Sequence, residues 1–256
     1  MHKCLIILCN IVYCVIIHPM DPIIEYTVRS GLIEYVKSTY EHTLFGIDYL
    51  FYPASNPKRL YILCNGATVG KYTMWSWFWR DDELWDDTAY LFLKDDAICW
   101  YLGTAENPLM QTYSDLIRAI MHYCTLTEKE TYIIGHSMGG YAALHFGLHL
   151  GLAGVFALRP QIDWQSASTY FSVKKLKNVW IDLDTYVMQS SYIPKIYLQF
   201  GEFGPDKEAG NKFLHALITR KAFVIVEKTD NESHTGYHPT KEYIEATLAY
   251  MEQIKS

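Results

Sequence analysis

Thr131-Tyr132-Ile133-Ile134-Gly135-His136-Ser137-Met138-Gly139-Gly140 is the stretch on which the reading of this chain turns. Its first four residues are β-branched, aromatic or aliphatic, the make-up of a short buried strand. Gly-x-Ser-x-Gly follows, and Tyr141 to Leu150 reads as helix. A serine between a strand and a helix sits on a sharp, strained turn. Glycines two before and two after it let neighbouring chain pass close. On such a turn the Ser137 hydroxyl projects above the sheet, and the Met138 N–H at the helix start can face an oxyanion. The competing reading is a helix-capping serine between tightly packed glycines.

Outward from this turn, short apolar runs predict strands at Thr43–Tyr52, Arg59–Cys64, Thr88–Leu93, Val155–Leu158, Ile196–Phe200 and Phe223–Val226. Between Gln111 and Tyr123, Leu116, Ile117, Ile120 and Met121 recur at helical spacing, and further helical stretches lie near 207–219 and 240–254. Strands alternating with helices imply an α/β protein with a doubly wound, mostly parallel sheet. With no repeat and no linker, residues 20–256 are expected to form one domain. The longest connection, 159–194, carries Trp164, Tyr170, Phe171, Trp180, Tyr186 and Tyr192. It reads as a small aromatic-rich lid or as a plain excursion with one or two helices.

The 256 residues are half apolar, with 22 basic against 28 acidic side chains and a formal net charge of −6. A chain this rich in apolar residues is not disordered, and an acidic balance without a Lys/Arg block argues against nucleic acid as partner. Neither common glycine-rich nucleotide cradle occurs. The six cysteines form no Cys-x-x-Cys pair, so a structural zinc is not expected, and their use mildly favours a reducing, cytoplasmic setting. Residues 1–19 stand apart. Cys4 to Ile17 is apolar except for Asn10, too short for an ordinary membrane span and without small residues at its end for signal cleavage. It reads as a signal-like anchor giving membrane association through residues 4–17, as a buried strand, or as an extension upstream of a true start at Met20.

The strand–Gly135-His136-Ser137-Met138-Gly139–helix unit resembles the nucleophile turn of the α/β-hydrolase fold family, and the resemblance extends over roughly residues 40–254. It implies a triad in the chain order serine, acid, histidine, with the acid after a later strand and the histidine after the last one. His234, in the loop Glu232-Ser233-His234-Thr235-Gly236-Tyr237-His238, is the implied base, with His238 as the alternative. The acid falls in Gly201-Glu202-Phe203-Gly204-Pro205-Asp206. Gly204 occupies the spacing where the family often has its aspartate, which leaves Asp206 as the choice and Glu202 as the alternative. The second oxyanion N–H is expected from Asn65-Gly66-Ala67-Thr68, similar to the family's His-Gly segment with Asn in place of His. Ala67 is the first choice and Gly66 the second.

Two shorter segments narrow the resemblance. Phe156-Ala157-Leu158-Arg159-Pro160-Gln161 and Trp100-Tyr101-Leu102-Gly103 look like segments of bacterial hydrolase-fold proteins of capsule and surface-glycan biosynthesis. The resemblance implies ester hydrolysis or acyl transfer through acyl-Ser137 on a small-molecule or glycan ester, with no metal or organic cofactor. Thioesterase and peptidase activity stay open. The alternative from another class is a catalytically weak scaffold in glycan assembly, suggested by the displaced acid and by Asn65.

Overall fold

The computed structural model describes residues 5–7, 33–74, 87–169, 173–230, 232–234 and 239–254. The strands are β1 (Leu5–Ile7), β2 (Glu41–Leu44), β3 (Ile47–Tyr52), β4 (Arg59–Cys64), β5 (Thr88–Leu93), β6 (Thr131–His136), β7 (Gly154–Leu158), β8 (Lys195–Gly201) and β9 (Val224–Thr229). The helices are α1 (Ile33–Tyr40), α2 (Met110–Tyr123), α3 (Met138–Leu150), α4 (Trp164–Ser168), α5 (Leu183–Gln189), α6 (Gly204–Thr219) and α7 (Lys241–Gln253).

The strands make one sheet in the order β1-β9-β8-β7-β6-β4-β5-β3-β2. From β5 to β9 every neighbouring pair is parallel, while β3 and β2 at one edge and β1 at the other run antiparallel. The doubly wound, mostly parallel sheet expected from the alternation is therefore present. Side chains alternate across it as the pleat requires. Leu60, Ile62, Ile133, Val155 and Leu198 face a core built with α2, α3 and α6. Tyr61, Leu63, Ile134, Phe156 and Tyr197 face the opposite layer, with Val36 of α1 and Ile244, Leu248 and Met251 of α7.

Strand order also places the site. The chain leaves β4 for β5 on one side, then returns to lay β6 on β4's other side. The connections above the carboxyl ends of β4 and β6 thus diverge and open a crevice there. Asn65 follows β4 and Ser137 follows β6.

Two sequence expectations need correction. Thr43–Tyr52 is not one strand but the hairpin β2–β3, because Phe45 (φ 54°) and Gly46 (φ 77°) both turn left-handed, as a two-residue hairpin turn requires. Asp206 lies in the first turn of α6 and not in a loop, since the helix already begins at Gly204 with Pro205 in its first turn. The rings of the 159–194 connection that lie among the described residues mostly knit it to α3. Trp180 stacks on Tyr141 with ring centres 4.6 Å apart and meets Trp100 and Trp164 edge-on at 5.8 Å each. Tyr186 and Tyr192 reach His149 and the Leu152 carbonyl, near the C-terminal end of α3, away from Ser137. Tyr170 and Phe171 lie outside the described residues.

Among the described residues Cys64, Cys99 and Cys124 are buried free thiols, no cluster of three metal-binding side chains occurs, and no helix is long and apolar enough to cross a membrane.

Candidate active site

Ser137 links β6 to α3 with φ 57° and ψ −121°, a left-handed backbone that a residue with a Cβ adopts only under strain. Its N–H donates to the Leu158 carbonyl (2.8 Å), and its carbonyl accepts from Tyr141 N–H (3.1 Å), which fixes the turn from both sides. Two glycines make the turn possible. A Cβ at Gly135 would overlap the Gly139 carbonyl, and one at Gly139 would overlap the carbonyls of Cys64 and Asn65. The start of α3 therefore rests directly on the end of β4.

The structure brings Ser137, His234 and Asp206 into one line. His234 Nε2 lies 2.7 Å from Ser137 Oγ, and its Nδ1 lies 2.9 Å from both Asp206 carboxylate oxygens. A carboxylate accepts, so Nδ1 carries the proton, Nε2 is the acceptor, and the Ser137 hydroxyl donates to it. Asp206 is 2 % exposed and sits in the first turn of α6, at the positive end of the helix dipole. Glu202 does not reach this line; it is exposed and pairs with Lys207 at 2.5 Å. His238 lies outside the described residues.

The imidazole is held from behind. Arg159, fully buried, donates from Nη1 to the His234 carbonyl at 2.7 Å, and its own N–H donates to Gln199 O at 2.7 Å. Arg159 has φ 43°, a second strained residue beside Ser137 and His234. The His136 ring lies 5.6 Å from the His234 ring, centre to centre.

Met138 is the first residue of α3, so its N–H has no acceptor within the helix. The β4 loop abuts the serine: a Cβ placed on Gly66 would lie 3.9 Å from Ser137 Cβ. Ala67 therefore stands next to a residue that touches the elbow. Asn65 is wholly buried and its side chain is structural. The carboxamide donates to the Lys71 carbonyl and accepts from Met74 N–H at 3.0 Å, folding 65–74 back on itself. Its carbonyl accepts from the Tyr101 hydroxyl at 3.0 Å.

Motif reading missed three further side chains at the site. Gln161 Nε2 donates to Ser137 Oγ at 3.2 Å, and Trp100 Nε1 donates to Gln161 Oε1 at 2.9 Å. Asp95 organises the loop that carries Trp100, accepting from the N–H groups of Ala97 (3.2 Å), Cys99 (2.6 Å) and Tyr101 (2.9 Å). Burial pushes the Asp95 carboxyl above its usual range, against the opposing pull of those N–H donors. The signal was present in the two short segments containing Trp100 and Gln161, which meet here although 61 residues separate them.

No protein-family profile and no curated sequence matches this chain. Solved structures do. The capsule O-acetyltransferase of Neisseria meningitidis serogroup A superposes with a TM-score of 0.61 at 16 % identity, over 83 % of this chain and 94 % of that one. The fluorophosphonate-binding serine hydrolase F of Staphylococcus aureus gives a TM-score of 0.63 at 17 % identity, over 84 % and 97 %. A ferulic acid esterase gives 0.57 at 13 % identity, over 82 % and 94 %. At these identities the likeness is one of fold, and the chain has the α/β-hydrolase fold.

Proposed function

We propose that this chain is a serine esterase or O-acyltransferase working through an acyl-Ser137 intermediate. The observation that carries the reading is the single line from Asp206 through His234 to Ser137 Oγ, set on a strained turn at the crevice above β4 and β6. Such a line has one use that its strain explains: moving the serine proton as the oxygen attacks.

In the reaction, Ser137 Oγ forms a bond to the acyl carbon while its proton passes to His234 Nε2. The carbonyl π pair moves onto oxygen, where the N–H groups of Met138 and Ala67 stabilise it; loss of one such donor typically costs about 3 kcal/mol of barrier. The tetrahedral intermediate collapses, the bond to the leaving oxygen or sulfur breaks, and His234 protonates that atom. A water or an alcohol then gives its proton to His234 and attacks the acyl carbon. Collapse releases the acid or new ester and returns the proton to Ser137. Asp206 stabilises the imidazolium formed at each step.

The acceptor we favour is a sugar hydroxyl of a polysaccharide. Support comes from the likeness to a capsule O-acetyltransferase and from the segments around Trp100 and Gln161. The departures that would speak for an inactive scaffold have local accounts. Asn65 clamps its own loop, and the first turn of α6 carries Asp206 to the imidazole despite Gly204 at the usual spacing.

A fluorophosphonate probe is expected to label the wild-type chain at Ser137 and to leave Ser137→Ala unlabelled, with hydrolysis of nitrophenyl acetate lost in parallel. Adding a saccharide to that assay distinguishes the two outcomes for the acyl group: transfer puts acetyl on the saccharide, hydrolysis releases acetate. Equal labelling of wild type and Ser137→Ala would sink the mechanism.

A further inference from the structure

Ser137 Oγ has two partners, and the second reaches away from the triad. Gln161, wholly buried, sits on it through an amide whose orientation is the open question, since a glutamine can present either NH2 or C=O to a neighbour. The far side of the same amide answers it. Trp100 is 1 % exposed and its indole nitrogen is a donor only, so the group facing it at 2.9 Å must be Gln161 Oε1. Nε2 is then the group facing Ser137 Oγ at 3.2 Å, and Oγ accepts there. With that lone pair engaged by an N–H, the acceptor that the described residues offer the serine's own proton is His234 Nε2, 2.7 Å away.

We infer that Trp100 and Gln161 are positioning residues that fix the polarity of the hydrogen-bond chain through Ser137, so that the hydroxyl proton points at His234 and nowhere else. The chain is anchored at both ends by groups of single polarity, the indole donor and the Asp206 acceptor, and every group between them is forced into one orientation. A flipped Gln161 would offer its carbonyl to Ser137, draw the proton off the path to the base, and leave the buried indole N–H facing an NH2.

Backbone strain marks the same device. Ile98 (φ 49°), Trp100 (φ 54°) and Tyr101 (φ 62°) are all left-handed without being glycine, and the Asp95 carboxylate holds the turn by three backbone N–H groups. A run of strained residues persists only where the surroundings over-determine it. Here the product of the strain is an indole N–H delivered to one amide.

This inference rests on the proposed serine chemistry, and phosphonylation of Ser137 by a fluorophosphonate tests the two apart, because it needs no knowledge of the natural substrate. Gln161→Glu keeps the size and the acceptor for Trp100 but offers Ser137 a second acceptor. Its labelling rate at pH 8 is expected to fall about 100-fold or more, as when a proton loses its path to a base. Gln161→Met keeps the bulk and removes both polarities while His234 still faces the Ser137 hydroxyl, so its rate is expected to fall about 10-fold, clearly less than that of Gln161→Glu. Trp100→Phe frees the amide to turn and is expected to fall between the two. Melting temperatures accompany each rate. A packing role would rank the variants by melting temperature; the polarity role ranks Gln161→Glu below Gln161→Met whatever their stability. Wild type and Gln161→Glu labelling equally fast would overturn this inference and leave the serine mechanism standing. An unreactive wild type would overturn both. If Gln161→Glu does not fold, Trp100→Phe decides: a labelling rate equal to wild type in a folded protein removes the polarity chain.

Discussion

At its N-terminal end α3 begins on Ser137, whose φ of 57° is strained and whose hydroxyl touches His234 and Gln161. At its C-terminal end the helix closes on Gly151, whose φ of 71° is just as left-handed, with its N–H donating to the Gly147 carbonyl. A glycine takes that conformation freely and gives an ordinary helix stop. A serine takes it only where the surrounding structure over-determines it. The histidines divide the same way. His234 uses both ring nitrogens, whereas His145, two turns into the helix, is buried among Tyr141, Phe146 and Tyr186 with its Nε2 unpartnered. One helix thus runs from a strained serine in contact with two polar side chains to groups held by packing alone.

Breaking the first end should remove activity while leaving the fold. His234→Ala is expected to lower turnover of nitrophenyl acetate by about 10³-fold or more, because triad members act as a unit. Asp206→Asn should cost about 10³- to 10⁴-fold by leaving the imidazole in the wrong tautomer. Glu202→Gln, which alters only an exposed pair with Lys207, should stay within about 2-fold. The inverse ranking of the two acid variants would move the carboxylate role to Glu202.

What could be read from residues alone follows the same division. The elbow was legible because its chemistry is local: strand, glycine, serine, glycine and helix are contiguous, and steric need links them. Asp206 and His234 were legible only as choices between neighbours, since packing sets both where α6 begins and how the His234 loop runs. The contact from the first turn of α6 to the imidazole spans 28 residues of sequence. Gln161 and Trp100 lay in two short resembling segments, but their contact was not legible, because what matters in them is which hydrogen-bonding atom faces which. The Phe45-Gly46 turn was hidden for the opposite reason. Nearly all of Thr43–Tyr52 favours strand, so the reversal is written in two φ values and not in composition.

Substituting the glycines sharpens the comparison in stability. Gly139→Ala forces a methyl into the Cys64 and Asn65 carbonyls, so α3 must lift off β4. A loss of about 3 kcal/mol in urea unfolding is expected, together with loss of turnover as Ser137 shifts. Gly151→Ala meets nothing nearer than a Tyr192 ring carbon at 3.7 Å and bears only the left-handed penalty. That should be about 1 kcal/mol, with turnover unchanged. Equal effects on turnover from the two would mean that the elbow tolerates movement of its helix.

The last expected effect lies at the packed end and is read by pH. Burial, with a lesser contribution from neighbouring His149, pushes His145 down to about 3 from the ordinary 6.5. A folded-state value below the unfolded one means that the unfolded chain binds the extra proton between those two pH values. The neutral ring's contribution to stability is therefore complete above about pH 6.5 and is lost as pH falls toward 3. At pH 5 it should amount to about 2 kcal/mol lost relative to pH 8. His149, also lowered by burial and by Arg118, acts in the same direction and stays in place when His145 is changed. His145→Leu keeps a buried side chain of similar size without a titrating group. Urea midpoints measured at pH 8 and pH 5 should therefore differ less in His145→Leu than in wild type. An identical pH dependence would mean that His145 is not buried as a neutral ring, and the contrast between the two ends of α3 would reduce to the strain at Ser137.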